Sequence, residues 1–267
     1  LAQHHDEPFP GLRLLVLAAG LVAAFTALQN SSDDTWLDPW VIAPLILGTV
    51  VVVLAVRTAP APLVAPEVTR AWTFRLGTAE ATLSNWGSGV VMVLVPTALQ
   101  IDRGLSVLGA GMVFIAFSAP FAVGGALSGP MTNRFGGPRT LGAGSALLAV
   151  GLIALGVTGI DLALGGLVAL LTVAGFGNGI VYSASTSYGL AGIGDDRAAE
   201  ASALLNMWRV LGLSVAVALS GSLVRIVDEH TGGSGDAGLR IALVVAAVIT
   251  AIGVPIARTR PAAVSRR

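Results

Sequence analysis

Residues 129–140 read GPMTNRFGGPRT, a short charged stretch set between two apolar runs at roughly 105–128 and 140–159. Its residue types describe a tight connection between helices. Gly129 lets two helix ends approach closely, and Asn133 can cap a helix start or bond to free backbone groups. Gly136 and Gly137 admit backbone angles that a side chain forbids, and Pro138 suits the first turn of the following helix. Arg134 and Arg139 can pair with carboxylates or lipid headgroups.

The composition says which solvent the flanking runs meet. Of 267 residues, 54% are hydrophobic and only 11% charged, and the mean hydropathy is +0.82. A soluble domain carries about a quarter charged residues, so the expected surroundings are lipid. The 34 glycines suit helices that pack closely in a bilayer. The formal net charge of zero gives no electrostatic case for a nucleic-acid partner. With no cysteine there are no disulfides, no thiolate zinc site and no thiol nucleophile. His4, His5 and His230 lie in flanks or connections, so neither metal-ligand spacing nor a Ser/His/Asp pattern is formed. No cofactor and no enzymatic activity are expected.

Eight apolar segments stand out, at roughly 12–29, 40–57, 77–99, 105–128, 140–159, 163–186, 201–224 and 240–257. Each is near the ~20 residues a helix needs to cross the hydrocarbon, and a helix satisfies its own backbone there. The expected fold is an all-α bundle of about eight transmembrane helices. With both termini inside, the inner connections hold Arg13, Arg57, Arg70, Arg75, Arg134, Arg139, Arg197, Arg258, Arg260, Arg266 and Arg267, and the outer ones only Arg103, Arg225 and Arg240. Arginine accumulates on the cytoplasmic side, which puts residues 129–140 in the cytoplasm and the protein in the cell membrane. The long inner connection 58–75, with three prolines, reads as a linker or a short surface helix. It divides the chain into 1–57 with two spans, 76–258 with six, and a tail, 259–267. The two spans are expected at the margin of the six.

Spacing within the opening stretch carries a resemblance. Gly129, Asn133, Arg134, Gly136 and Arg139 follow the pattern of the major facilitator superfamily loop motif, with Asn133 where aspartate is usual and Arg139 alone of the paired basic residues. Three further stretches resemble the 14-helix drug:proton antiporter family of that superfamily. They are VPTALQIDRGLSVLGAGMVF (95–114), GFGNGIVYSASTS (175–187) and DDRAAEASALLNMWRVLGLSVAVAL (195–219). The last has Ala199 and Leu213 in place of two usual glycines. The resemblance implies two central helices followed by a six-helix C-terminal half. It also implies that the chain, which opens on Leu1, is part of a longer one whose N-terminal six-helix half would be its partner. The implied activity is proton-coupled efflux of drug-like amphipathic small molecules. A helical membrane module without transport activity is the alternative.

Ionisable and polar groups inside spans are the candidates for a substrate or proton pathway. Glu80, Ser84 and Ser88 recur at i, i+4 and share a face, with Asn85 beside it. That face is expected to look away from lipid, towards a cleft, or Glu80 is expected to be wetted near the helix start. Asn178 is expected to bond between helices or, as the alternative, to contact substrate. Arg209, with Asn206 one turn earlier, is a deep cation that either pairs with a carboxylate or substrate or bonds to backbone at a helix contact. Trp36, Trp40, Trp72 and Trp86 are expected to sit at membrane interfaces.

Overall fold

The computed structural model describes residues 65–231 and 236–258, together with isolated positions between 19 and 54. The isolated positions are helical, and the Thr26 hydroxyl donates to the Val22 carbonyl at 2.8 Å, one turn back. They belong to one compact unit, Leu1–Leu63; the remaining described residues form a second, Val64–Arg267. The packing expected of spans 12–29 and 40–57 falls outside the described residues.

In the second unit the backbone closes on itself as helices, and no strand occurs among the described residues. The elements are α1 (Pro66–Arg70), α2 (Trp72–Ile101), α3 (Val107–Phe135), α4 (Gly137–Thr158), α5 (Leu164–Leu190), a 3₁₀ turn (Asp195–Arg197) leading into α6 (Ala198–Thr231), α7 (Ala237–Ala251) and α8 (Gly253–Arg258). Among the described residues six stretches are long and apolar enough to cross a membrane, with α7 and α8 together forming the last. They coincide with the six spans expected between 77 and 257; three expected boundaries, at 105, 159 and 163, fall one or two residues outside the helices, and most helices run about a turn or more past the opposite end. Of the expected linker, residues 66–70 form α1 and residues 72–75 already belong to α2. The Ala65 amide ties this entry to α6 by donating to Glu200 Oε1 at 2.5 Å, while Glu200 Oε2 pairs with Arg197 Nη1 at 3.2 Å.

The connections are short because specific residues end each helix. After α2, Gly104 takes φ +63° and Ser106 caps α3, accepting from the Gly109 amide at 3.1 Å. Arg103 donates to the Leu162 carbonyl and so joins this turn to the α4–α5 turn. The RGLS stretch thus has a structural reason for its composition.

α5 lies at the centre, packed on α2, α3 and α4, while α2 also packs on α6 and α7. Leu99, Leu148, Leu152, Leu167, Leu171 and Leu243 are fully buried between them. Lipid tails are as apolar as these side chains, so the association rests on close van der Waals packing rather than escape from water. The Gly-x-Gly-x-Gly run supplies the closest of it. A Cβ on Gly175 or Gly179 would lie in the backbone of α3 at Phe117 or Phe121, and one on Gly177 would lie 2.5 Å from the Leu148 amide of α4. Alternate glycines therefore fit α5 between two helix backbones.

Trp86 packs against the main core cluster instead of marking an interface. Trp72 stands at the start of α2 and packs against a smaller buried cluster, whereas Trp36 and Trp40 lie outside the described residues.

The glycine contact makes a quantitative demand. Gly175→Ala or Gly179→Ala should destabilise the bundle by about 1–3 kcal/mol, the usual range for overpacking. Gly165→Ala on the same helix, where a Cβ meets nothing within 4 Å, should be neutral or slightly stabilising. Thermal unfolding of the detergent-solubilised protein, followed by far-UV circular dichroism, measures the difference.

Candidate functional site

The opening stretch is mostly helix. Backbone bonding continues past the apolar segment, with the Gly136 amide reaching the Thr132 carbonyl at 2.9 Å, so α3 runs to Phe135 and Gly136 is the entire connection to α4. Gly136 holds φ +86°, which glycine adopts without the cost a side chain would add. Pro138 occupies the first turn of α4, as expected. Three expectations are corrected. Asn133 lies exposed in the last turn of α3 and caps nothing. A Cβ at Gly129 would meet nothing within 4 Å, so no helix end approaches there. Gly137 serves proximity rather than a special backbone angle, since its Cβ would enter the Tyr188 ring. Arg134 lies over the Phe135 ring at 5.2 Å from the centroid. Arg139 is exposed, and neither arginine is in an ion pair among the described residues.

Glu80 is fully buried. The Ser145 hydroxyl of α4 donates to its Oε2 at 2.6 Å, Oε1 has no partner among the described residues, and a Cβ on Gly253 would stand 2.5 Å from Oε2. The carboxyl group therefore sits where α2, α4 and the start of α8 meet. The expectation of a wetted side chain fails because α2 begins at Trp72, placing Glu80 two turns inside with two helices closed over it. Its stripe is buried with it. Ser84 donates to the Ala81 carbonyl at 3.2 Å, Asn85 to the same carbonyl at 2.9 Å, and Ser88 to the Asn85 carbonyl at 3.4 Å. These bonds satisfy the polar atoms within their own helix, and the stripe points into the bundle.

Arg209 is the other charged side chain buried among the described residues, 5% exposed. Its Nη1 donates to Asn206 Oδ1 at 2.9 Å. Nη2 faces three acceptors on α5: the Tyr182 carbonyl at 3.1 Å, Ser185 Oγ at 3.0 Å and Thr186 Oγ1 at 2.9 Å. The guanidinium also lies 3.8 Å from the centroid of the Tyr182 ring, close enough for cation–π attraction. No carboxylate pairs with it among the described residues. Bonding at a helix contact is therefore observed, and pairing with a carboxylate is not, among the described residues. Tyr182 remains 37% exposed and meets Phe121 of α3 edge-on at 5.4 Å. A partly exposed aromatic pair, with the Tyr182 ring over the guanidinium, thus borders a buried cation.

Asn178 is buried, and its Oδ1 makes no hydrogen bond among the described residues. Asn206 meets Arg209, as their spacing suggested. Sequence reasoning did not single out Tyr182, Ser185 and Thr186, although their i, i+3, i+4 spacing in YSASTS puts three candidate partners on one face of an apolar helix. Ser145, alone in GAGSALL, gives no such signal.

Comparison with known proteins gives this chain relatives. The family model described as Major Facilitator Superfamily matches residues 81–267. Curated relatives named "Putative multidrug resistance protein MdtD" align with more than four-fifths of the chain. The protein from Salmonella paratyphi A is 27% identical over 231 residues, 82% of this chain and 47% of its own length. That from Citrobacter koseri is 29% identical over 227 residues (81% and 46%), and that from Shigella sonnei 30% over 228 (81% and 46%). The chain spans about half the length of the curated relatives it matches.

The Arg209 contacts depend on a planar, forked donor. Arg209→Lys keeps the charge but cannot reach Asn206 and the α5 acceptors together. It should cost about 1.5–3 kcal/mol, the worth of a hydrogen bond to a charged group. Thermal unfolding in detergent, with Ser185→Ala and the double variant completing a cycle, isolates the Arg209–Ser185 part of that cost.

Proposed function

Because this chain belongs to the Major Facilitator Superfamily, we propose that it supplies the C-terminal part of a secondary active transporter that exports drug-like amphipathic compounds in exchange for protons. The observation that carries the proposal is the buried Arg209 bordered by the partly exposed Tyr182–Phe121 pair. Aromatic faces offer an amphipathic compound area without demanding a fixed hydrogen-bond pattern. Arg209 fastens α6 to α5, so a compound resting on Tyr182 touches a unit of two joined helices. Transporters built from repeats work by rocking such units around a central site. The complement is a second set of helices, corresponding to the part of the curated relatives beyond the matched half. The proton-coupling carboxylates belong to that complement. Glu80 instead joins α2 to α4 through Ser145.

Fluorescent-dye efflux by proteoliposomes containing the chain with its complementary helices tests this. Arg209→Ala should lower efflux by roughly tenfold or more, comparable to losing one charge-assisted hydrogen bond. Glu80→Gln keeps the oxygen that accepts from Ser145 and should leave efflux unchanged. Full efflux with Arg209→Ala would count against the assigned site. Loss of efflux with Glu80→Gln in a protein of unchanged stability would move proton coupling to α2.

The same reading puts both termini in the cytoplasm of a cell-membrane protein. The chain has no native cysteine, and Asn133 is exposed. An Asn133→Cys variant in intact cells should therefore resist a membrane-impermeant maleimide and react after permeabilisation. Labelling from outside would invert the topology.

A further inference from the structure

A groove of about 750 Å³ opens at the end of the bundle where α3 turns into α4. Arg139 from the first turn of α4 and Arg258 from the last turn of α8 both line it. Both side chains are exposed, and no aspartate or glutamate lines the groove. Neither arginine forms an ion pair among the described residues. Trp72, Phe135 and Tyr188 make its aromatic walls, and Ala143, Ala146 and Val254 extend its lining along α4 and α8.

These features select one occupant. The two guanidiniums lie where the apolar helices begin and end, the level of lipid headgroups. Guanidinium pairs with phosphate through parallel N–H donors. The aromatic and aliphatic lining suits glycerol and the first acyl carbons, while a free, fully hydrated anion would gain nothing from it. Basic pockets between transmembrane helices recognise anionic headgroups. We propose that this groove is a binding site for an anionic phospholipid, its phosphate held between Arg139 and Arg258 and its chains continuing along α4 and α8. This goes beyond transport, since the bound lipid is neither cargo nor coupling ion.

Native mass spectrometry of the full chain in detergent, titrated with phosphatidylglycerol or phosphatidylcholine, reads the preference directly. The unaltered protein should retain phosphatidylglycerol selectively. The Arg139→Gln/Arg258→Gln variant should lose that selectivity by roughly tenfold, on the scale of two surface arginines facing anionic lipid. Arg139→Lys/Arg258→Lys should retain part of it. Removing two other arginines from the same end, Arg70→Gln/Arg134→Gln, should change it little. Far-UV circular dichroism confirms that each variant is folded. As an independent readout, brominated phosphatidylglycerol should quench tryptophan fluorescence more than brominated phosphatidylcholine, and the difference should shrink in Trp72→Phe. Unchanged selectivity in the Arg139/Arg258 glutamine variant overturns the site. An equal loss in the Arg70/Arg134 variant reduces the effect to net charge. Displacement of lipid by inorganic phosphate would show a free-anion site instead.

Discussion

The fold depends on how closely backbones approach along α5. In hydrocarbon, apolar side chains gain little by leaving lipid for protein, so helices adhere through contact area and polar bonds. Gly175 and Gly179 admit the α3 backbone and Gly177 admits α4. With α5 fixed on two sides, its third face meets α2, and α2 in turn carries α6 and α7. The buried polar groups sit at these crossings. Arg209 bonds from α6 to three acceptors on α5, and Glu80 bonds from α2 to α4. Neither bond can form unless the backbones have first come close.

The two buried charged side chains are held in different ways. Arg209 is surrounded by oxygens and an aromatic face, and among the described residues only its Nε lacks a partner. Glu80 has one hydroxyl partner and an unpartnered oxygen. The first arrangement fixes a side chain in one geometry. The second fixes a position while leaving an acceptor unused. Both are close to helix discontinuities or mixed polar runs: Glu80 at the Ile252 break between α7 and α8, Arg209 at the YSASTS segment.

How much was legible in the sequence varied with how local the cause was. Spans are legible because hydrocarbon thickness imposes a length on every apolar run. The Gly-x-Gly-x-Gly run was legible only as part of a family resemblance, and its cause, close approach of the α3 and α4 backbones, required the packing. Helix ends were not, because polar residues beyond the hydrocarbon remain helical. That is why α3 continues through Asn133 and Arg134 to Phe135, and why α2 starts at Trp72. The earlier start of α2 changed the reading of Glu80 from wet to buried. The placement of Arg209 beside Asn206 followed from helical spacing, while its α5 partners required knowing which helix faces α6. Ser145 was beyond reach, since nothing in its own neighbourhood distinguishes it from a lipid-facing serine.

The Gly136 connection has a mechanical consequence. A link of one residue contributes a single pair of soft dihedrals between two rods, α3 and α4. Consecutive Cα atoms stay about 3.8 Å apart whatever those dihedrals do. The joined ends can swivel but cannot separate or slide past each other. The two helices therefore form a pivoted linkage, and a displacement of α3 at that end must appear in α4 almost undiminished.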